Sequence, residues 1–125
     1  MTQAMRYQTV QRETVSERGL EAALLERVTA RLKAHRDEEA LSHGPLLEAL
    51  HANRSLWMTL AIDLASPDNR QTKEVKASMI SIAGFIERNT HAAAKSMDVL
   101  DSFVDINEAI LSGLRQEAPV PALAE

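Results

Sequence analysis

The 125-residue sequence has no cysteine and few aromatic, glycine or proline residues. The absence of cysteine excludes disulfides, thiolate metal sites and cysteine nucleophiles. Aromatic residues make up 3% of the chain, and four glycines and four prolines offer few turns for a many-stranded fold. No apolar run approaches the roughly 18 residues needed to span a bilayer. Residues 1–14 also lack the apolar region of a signal peptide, so we expect a cytoplasmic protein.

Hydrophobic residues nevertheless make up 45% of the chain, and most are aliphatic, which suits helix packing better than sheet packing. A chain of this length fits one domain that buries roughly two-thirds of its unfolded surface. We predict an all-α fold: a single-domain bundle over residues 1–125 with about four main helices, ordered from about 4 to 115. A loose N-terminal segment and a C-terminal tail at 116–125 complete the prediction.

Charge argues against nucleic acid as a direct partner. The chain has 18 acidic residues against 14 lysines and arginines, a net charge of −4, so non-specific phosphate binding lacks its electrostatic drive. One basic cluster stands out, formed by Arg27, Arg31, Lys33 and Arg36. Acidic residues interrupt it, and a solvated helix face is the preferred interpretation over an RNA patch.

Turn and capping residues set the predicted helix limits. The four helices are predicted over residues 17–37, 45–65, 72–93 and 97–114. Ser16 is a candidate N-cap, and Gly44-Pro45 begins the second helix because proline is favoured in the first helical turn. The segment Ser66-Pro67-Asp68-Asn69 predicts a turn, in which Asp68 and Asn69 bond local backbone. Gly84 lies inside the third helix, which suggests close approach of a neighbouring helix.

Three of these helices carry an apolar seam with alternating spacings of three and four residues. The seams are Leu46, Leu50, Asn53, Trp57, Leu60 and Leu64; then Val75, Met79, Ile82, Ile86, Asn89 and Ala93; then Leu100, Phe103, Asn107, Ile110 and Leu114. The predicted first helix has a comparable stripe at Leu20, Ala23 or Leu24, Val28 and Leu32. Such spacing is typical of helices that pack nearly antiparallel.

Each of the three seams contains one asparagine, and two interpretations remain open. Asn53, Asn89 and Asn107 either form a buried polar layer that fixes helix register or line a groove and bond a partner's backbone. Trp57 is likewise either a core residue or a binding hot spot. Leu56 and Phe85 lie one residue off the seams and are surface candidates.

The histidines are candidate metal ligands. Glu48-x-x-His51 has the spacing of carboxylate-bridged metal sites in helical bundles, but these sites need a second copy of the motif. Glu87 and His91 are four residues apart, and neither pair lies on an apolar seam. No glycine-framed serine or phosphate-binding glycine loop is present. We expect a protein that is not an enzyme and uses no metal or cofactor.

The order of short elements resembles the flagellar biosynthesis regulator family FlaF. The elements are Asn53-Arg54-Ser55-Leu56-Trp57, Ser66-Pro67-Asp68-Asn69, Phe85-Ile86-Glu87-Arg88-Asn89-Thr90, Ile106-Asn107-Glu108-Ala109-Ile110 and Gly113-Leu114. Tyr7-Gln8 and the Leu24 to Leu32 helix are similar to its N-terminal half. The resemblance covers roughly residues 4–115. The chain departs from the family pattern at Ser66, at Arg70 and in the connection at 94–97.

The resemblance implies a function in flagellin production and secretion. It implies a chaperone-like adaptor that binds the terminal helices of flagellin and acts with FlbT, the partner regulator of flagellin mRNA translation. An apolar seam supplies a possible means, because an amphipathic helix can dock in a groove between helices. The alternative is an RNA-binding post-transcriptional regulator of flagellin mRNA. A seam without a partner helix could also close on a second copy of the chain.

Overall fold

Four helices make up most of the described chain. A computed structural model describes residues 21–38 and 43–115. The predicted N-terminal segment, the candidate N-cap Ser16 and the tail at 116–125 lie outside the described residues. No strand occurs within the described ranges, and the predicted all-α fold is confirmed. None of the helices found there is long and apolar enough to cross a membrane.

The observed helix limits are close to the predicted ones. Helix α1 is helical over the described residues 21–37, and the other three are α2 (His43–Ala65), α3 (Lys73–Ala93) and α4 (Met97–Arg115). Helix α2 starts two residues before Pro45, so the predicted start was late. Proline is tolerated there because the first helical turn has backbone N–H groups without intrahelical partners.

Side-chain caps and turns connect α2 to α3. The Ser66 N–H donates to the Asp63 carbonyl at 3.1 Å, and the Asn69 N–H donates to the Ser66 carbonyl at 3.0 Å. The Asn69 side chain accepts from the Gln71 N–H, as predicted, whereas Ser66 rather than Asp68 supplies the other local side-chain acceptor. Thr72 then caps α3 by accepting from the Val75 N–H at 3.1 Å.

Short connections make consecutive helices α2, α3 and α4 run in alternating directions. Helix α1 lies antiparallel to α4, because the later residue Arg36 pairs with Asp101 whereas the earlier Lys33 pairs with Glu108. The core cluster comprises Val28, Leu32, Leu46, Ala49, Leu50, Trp57, Ala83, Ile86, Ala93, Leu100, Phe103 and Val104. All four helices therefore contribute to one apolar interior.

The seam residues are buried or half-buried, with two departures. On α1, Val28 and Leu32 are buried as predicted, but the third buried position is Leu25 rather than Ala23 or Leu24, which are exposed; Leu20 lies outside the described residues. On α3 the first seam residue, Val75, is exposed. It lies in the first turn after the α2–α3 connection, at the end of the helix pair. The other assignments place the apolar faces inward, as the spacing predicts.

Candidate partner-binding surface

Two of the three seam asparagines meet Trp57 in the centre of the bundle. The Trp57 Nε1–H donates to Asn107 Oδ1 at 2.9 Å, and Asn107 Nδ2 donates to Asn53 Oδ1 at 2.8 Å. All three side chains are fully buried. The network joins α2 to α4, which run in the same direction, and buried hydrogen-bonded groups of this kind specify how helices align.

The direction of this network follows from the indole group. Trp57 can only donate, so Asn107 must present its oxygen to the indole and its amide nitrogen to Asn53. Asn53 then accepts with its oxygen, and its Nδ2 is buried without a hydrogen-bond partner in the described part of the chain. The arrangement leaves Trp57 and Asn107 no free surface for another protein.

The third asparagine does not join the network. Asn89 is half-buried, and its Nδ2 donates to the Phe85 carbonyl one turn earlier on the same helix at 2.9 Å. Thr90 similarly donates its hydroxyl to the Ile86 carbonyl at 2.6 Å. Asn89 thus satisfies its donor within α3 and does not contribute to a polar layer between helices.

The remaining sequence candidates pack against the core. Leu56, Phe85 and Ile110 are half-buried and contact the buried cluster. The Phe85 ring meets the Phe103 ring edge-on, with centroids 6.1 Å apart and an interplanar angle of 73°. Because these side chains pack against the core, only part of each is accessible to a binding partner.

Ion pairs close the rim between α1 and α4. Arg36 Nη1 lies 3.1 Å from Asp101 and 3.8 Å from Asp105, and Lys33 Nζ lies 3.3 Å from Glu108. Burial alone would lower the pKa of Arg36, but hydrogen bonds to Asp37 and Asp101 and their charges raise it above its ordinary value. Two members of the basic cluster, Lys33 and Arg36, are therefore already neutralised within the protein. This weakens the case for an RNA patch.

The histidine pairs do not assemble a metal centre. Within residues 21–38 and 43–115, no group of three or more histidine and carboxylate side chains is placed to hold a metal ion. His51 and His91 are exposed and line the same shallow groove between α2 and α3. Glu87, between them, is occupied by an ion pair with Arg54.

That ion pair bridges α2 and α3 on their outer side. Arg54 donates from Nε and Nη2 to the two carboxylate oxygens of Glu87, at 2.5 and 2.8 Å. These hydrogen bonds lower the pKa of the Glu87 carboxyl and raise that of Arg54. A bidentate pair of this geometry is directional, so the side chains around it occupy defined positions.

Large aliphatic side chains are exposed on either side of this pair. Ile62 on α2 is 74% exposed, and Leu47 on α2 and Ile80 on α3 are also exposed. Ile62 lies eight residues after Arg54 and Ile80 seven before Glu87, which is about 12 Å and about 10.5 Å along antiparallel helices. The two isoleucines therefore stand at the same level. We call the surface formed by Leu47, Arg54, Ile62, Ile80 and Glu87 the outer α2–α3 face.

A groove of ≈ 290 Å³ opens at one end of the outer α2–α3 face. It is lined by Leu47, Leu50, His51, Arg54, Glu87, Thr90 and His91. Its apolar side chains sit next to charged and hydrogen-bonding groups, as is typical of protein-binding surfaces. Ile62 and Ile80 are not among the residues that the sequence singled out. Each is a large aliphatic residue that lies off the apolar seam of its helix and next to a polar residue, Asp63 or Ser81, and this pattern could have indicated an exposed apolar side chain.

Gly84 lies in α3 one turn after Ile80, and its predicted role was wrong. A Cβ built at Gly84 would meet only the Arg88 guanidinium of the same helix, with Nη1 at 3.0 Å, and no atom of a neighbouring helix within 4 Å. The described bundle therefore does not need glycine at this position for helix packing. The position is open on the outer side of α3, next to the exposed aliphatic residues.

The fold and this surface define a small helical-bundle protein with an apolar core, a buried Trp57–Asn107–Asn53 hydrogen-bond network and an exposed aliphatic face. Residues 3–114 match the family model described as Flagellar protein FlaF, and the chain belongs to this family. The resemblance seen in the sequence is thereby confirmed. A search of curated proteins and a search of solved structures gave no match.

Proposed function

We propose that this FlaF-family protein is a non-enzymatic cytoplasmic adaptor that binds flagellin and promotes its production or secretion together with an FlbT-type regulator. Family membership supports a flagellar role. The observation that carries flagellin binding is the exposed aliphatic side chain of Ile62, which lies on the same helix as the exposed Leu47 and across from Ile80 on α3. Exposed apolar residues grouped on one face mark protein-interaction surfaces.

Helix docking is the binding mode that this surface favours. The outer α2–α3 face lies along two adjacent antiparallel helices, which together offer ridges and a groove to a third helix. An amphipathic helix would cover Leu47, Ile62 and Ile80 with its apolar stripe. A terminal helix of flagellin would be kept from premature self-association while it is bound in this way.

Isothermal titration against flagellin tests the proposal. Full-length flagellin should bind, and flagellin lacking its terminal helices should not, because the apolar stripe resides in those helices. Titrations with and without the FlbT-type regulator then show whether the two proteins act on flagellin jointly. Undiminished binding of the truncated flagellin would refute the docking mode.

The RNA-binding alternative is tested in the same buffers. It predicts retardation of flagellin mRNA at low salt, which neutralisation of Arg27 and Arg31 would remove. These two residues are exposed, whereas the other two members of the basic cluster pair with α4. We expect no retardation at low salt, and a steeply salt-dependent RNA complex would replace the adaptor proposal.

A further inference from the structure

We infer that the outer α2–α3 face binds one amphipathic helix that approaches α3 closely at Gly84 and carries carboxylates beside its apolar stripe. The inference rests on the proposed function for the identity of the partner, a flagellin helix. The position of the docking surface and the chemistry of its ligand come from the described residues. Three observations support it independently: the aligned isoleucines, the open glycine and the distribution of cations.

The isoleucines define where the apolar stripe of the partner lies. The Arg54–Glu87 pair bridges the two helices, and Ile62 on α2 and Ile80 on α3 stand at one level beyond it, at the end of the outer α2–α3 face away from the groove. Leu47 lies on the other side of the ion pair. Trp57, which follows Leu47 by ten residues in the same helix, faces the core. A helix laid along the outer α2–α3 face meets Ile62 and Ile80 at one end and Leu47 at the other.

Gly84 indicates how closely the partner approaches. Glycine inside a helix is less stable than alanine, and at this position no neighbouring helix explains it. The nearest atoms to a Cβ belong to the flexible end of Arg88, which can move. A partner backbone resting on α3 at Gly84 accounts for a residue that the isolated bundle does not require.

Charge selects among amphipathic helices. Helix α3 carries Lys73, Lys76 and Arg88, none of which forms an ion pair with any described residue. Its carboxylates are Glu74, in the first turn, and Glu87, which Arg54 neutralises. The α3 side of the face therefore has an excess of positive charge although the whole chain has a net charge of −4. A partner helix with carboxylates flanking its apolar stripe complements this surface.

The test compares substitutions at Gly84 in the full-length protein. Gly84→Ala should raise the Tm by about 3–6 °C, because alanine favours the helix. The same variant should bind flagellin at least about fivefold more weakly, and Gly84→Leu more weakly still, because the side chain separates the helices. Higher stability with lower affinity is the signature of a glycine retained for a partner.

Two further variants probe the stripe and the charges. Ile80→Glu should reduce flagellin affinity by about tenfold or more, and Arg88→Glu should reduce both affinity and its dependence on salt. Ala109→Glu adds one negative charge at an exposed position of α4, as Ile80→Glu does on α3, and serves as its matched control. We expect its affinity for flagellin to be unchanged. Sedimentation of the free protein identifies a second copy as the occupant if a dimer dissociates in Ile80→Glu, and that outcome overturns the inference.

The outcomes separate the inference from the proposed function. If the wild-type protein does not bind flagellin, the proposed function fails. If it binds and the Gly84→Leu and Ile80→Glu variants bind equally well while folded, flagellin uses another surface and only the inference fails. If both lose affinity and Ala109→Glu does not, the outer α2–α3 face is the docking site.

Discussion

The inner and outer faces of the α2–α3 pair place polar and apolar groups in opposite ways. Inside, Asn53 and Asn107 are buried with Trp57 among aliphatic side chains, in a chain of hydrogen bonds. Outside, Ile62 and Ile80 are exposed next to an ion pair. The inner polar groups bond one another within the bundle except for Asn53 Nδ2, whereas the outer aliphatic residues have no cover among the described residues. Substitutions should therefore change stability at the inner face and partner binding at the outer face.

Removal of Asn107 is expected to have the largest effect. Asn107→Ala leaves the Trp57 Nε1–H and the Asn53 Oδ1 buried without partners and creates a small cavity. Each unpaired buried group costs about 1–3 kcal/mol, so the free energy of unfolding should fall by about 3 kcal/mol. Urea unfolding followed by the emission of Trp57 measures the change.

Asn89→Ala is the matched control for the inner face. Asn89 is half-buried and bonds only the Phe85 carbonyl of its own helix, so its loss should lower the free energy of unfolding by no more than about 1 kcal/mol. Equal losses from both substitutions would show that the buried network does not have the special role assigned to it. The two asparagines would then have to be treated as equivalent seam residues.

Substitution of Ile62 should affect binding and leave stability nearly unchanged. Ile62→Glu places a carboxylate at an exposed position, where substitutions usually change stability by less than about 0.5 kcal/mol. Affinity for flagellin should fall by about tenfold or more if this side chain is a hot spot. Titration gives the affinity, and urea unfolding gives the stability. A loss of stability comparable to that of Asn107→Ala would place Ile62 in the fold rather than on the docking surface.

The contrast between the inner and outer faces also explains which features could be predicted from the sequence. The spacing of apolar residues predicted the helices and most of the buried seams, because helical periodicity determines which side chains share a face. The same periodicity placed Asn89 on a seam with Asn53 and Asn107, but it does not reveal which helix each amide can reach. Asn89 reaches only its own backbone.

The outer surface was harder to predict for a related reason. The helical spacing of apolar residues identifies the side chains on the buried face of a helix. Ile62 lies off the seam of α2, so the spacing did not single it out. Its exposure depends on where α3 packs, and contacts between α2 and α3 join residues far apart in sequence, as in the Arg54–Glu87 pair, whose members are 33 residues apart. Gly84 was assigned to helix packing because composition cannot distinguish an intramolecular from an intermolecular close approach.

Substitution in the charged rim between α1 and α4 should lower stability much less than Asn107→Ala does. Arg36→Gln removes the contacts with Asp101 and Asp105, whose side chains are about half or more exposed. Partly exposed ion pairs contribute little, so the free energy of unfolding should fall by about 0.5–1 kcal/mol. The difference from the wild type should shrink in 1 M salt, where charges are screened. A difference that persists at high salt would indicate that the packing of the arginine stem dominates.

The smallest effect is expected at the Arg54–Glu87 pair, and it should depend on pH. Because Arg54 lowers the pKa of Glu87 in the folded protein, the pair stabilises the fold above the unfolded pKa of a glutamate, about 4.3. That contribution is lost as the pH falls through the lower folded pKa. Glu87→Gln should consequently be slightly less stable than the wild type at pH 7 and equally stable at pH values below the folded pKa. If the difference between the two proteins does not change with pH, the pair fixes the register of the outer face without adding electrostatic stability.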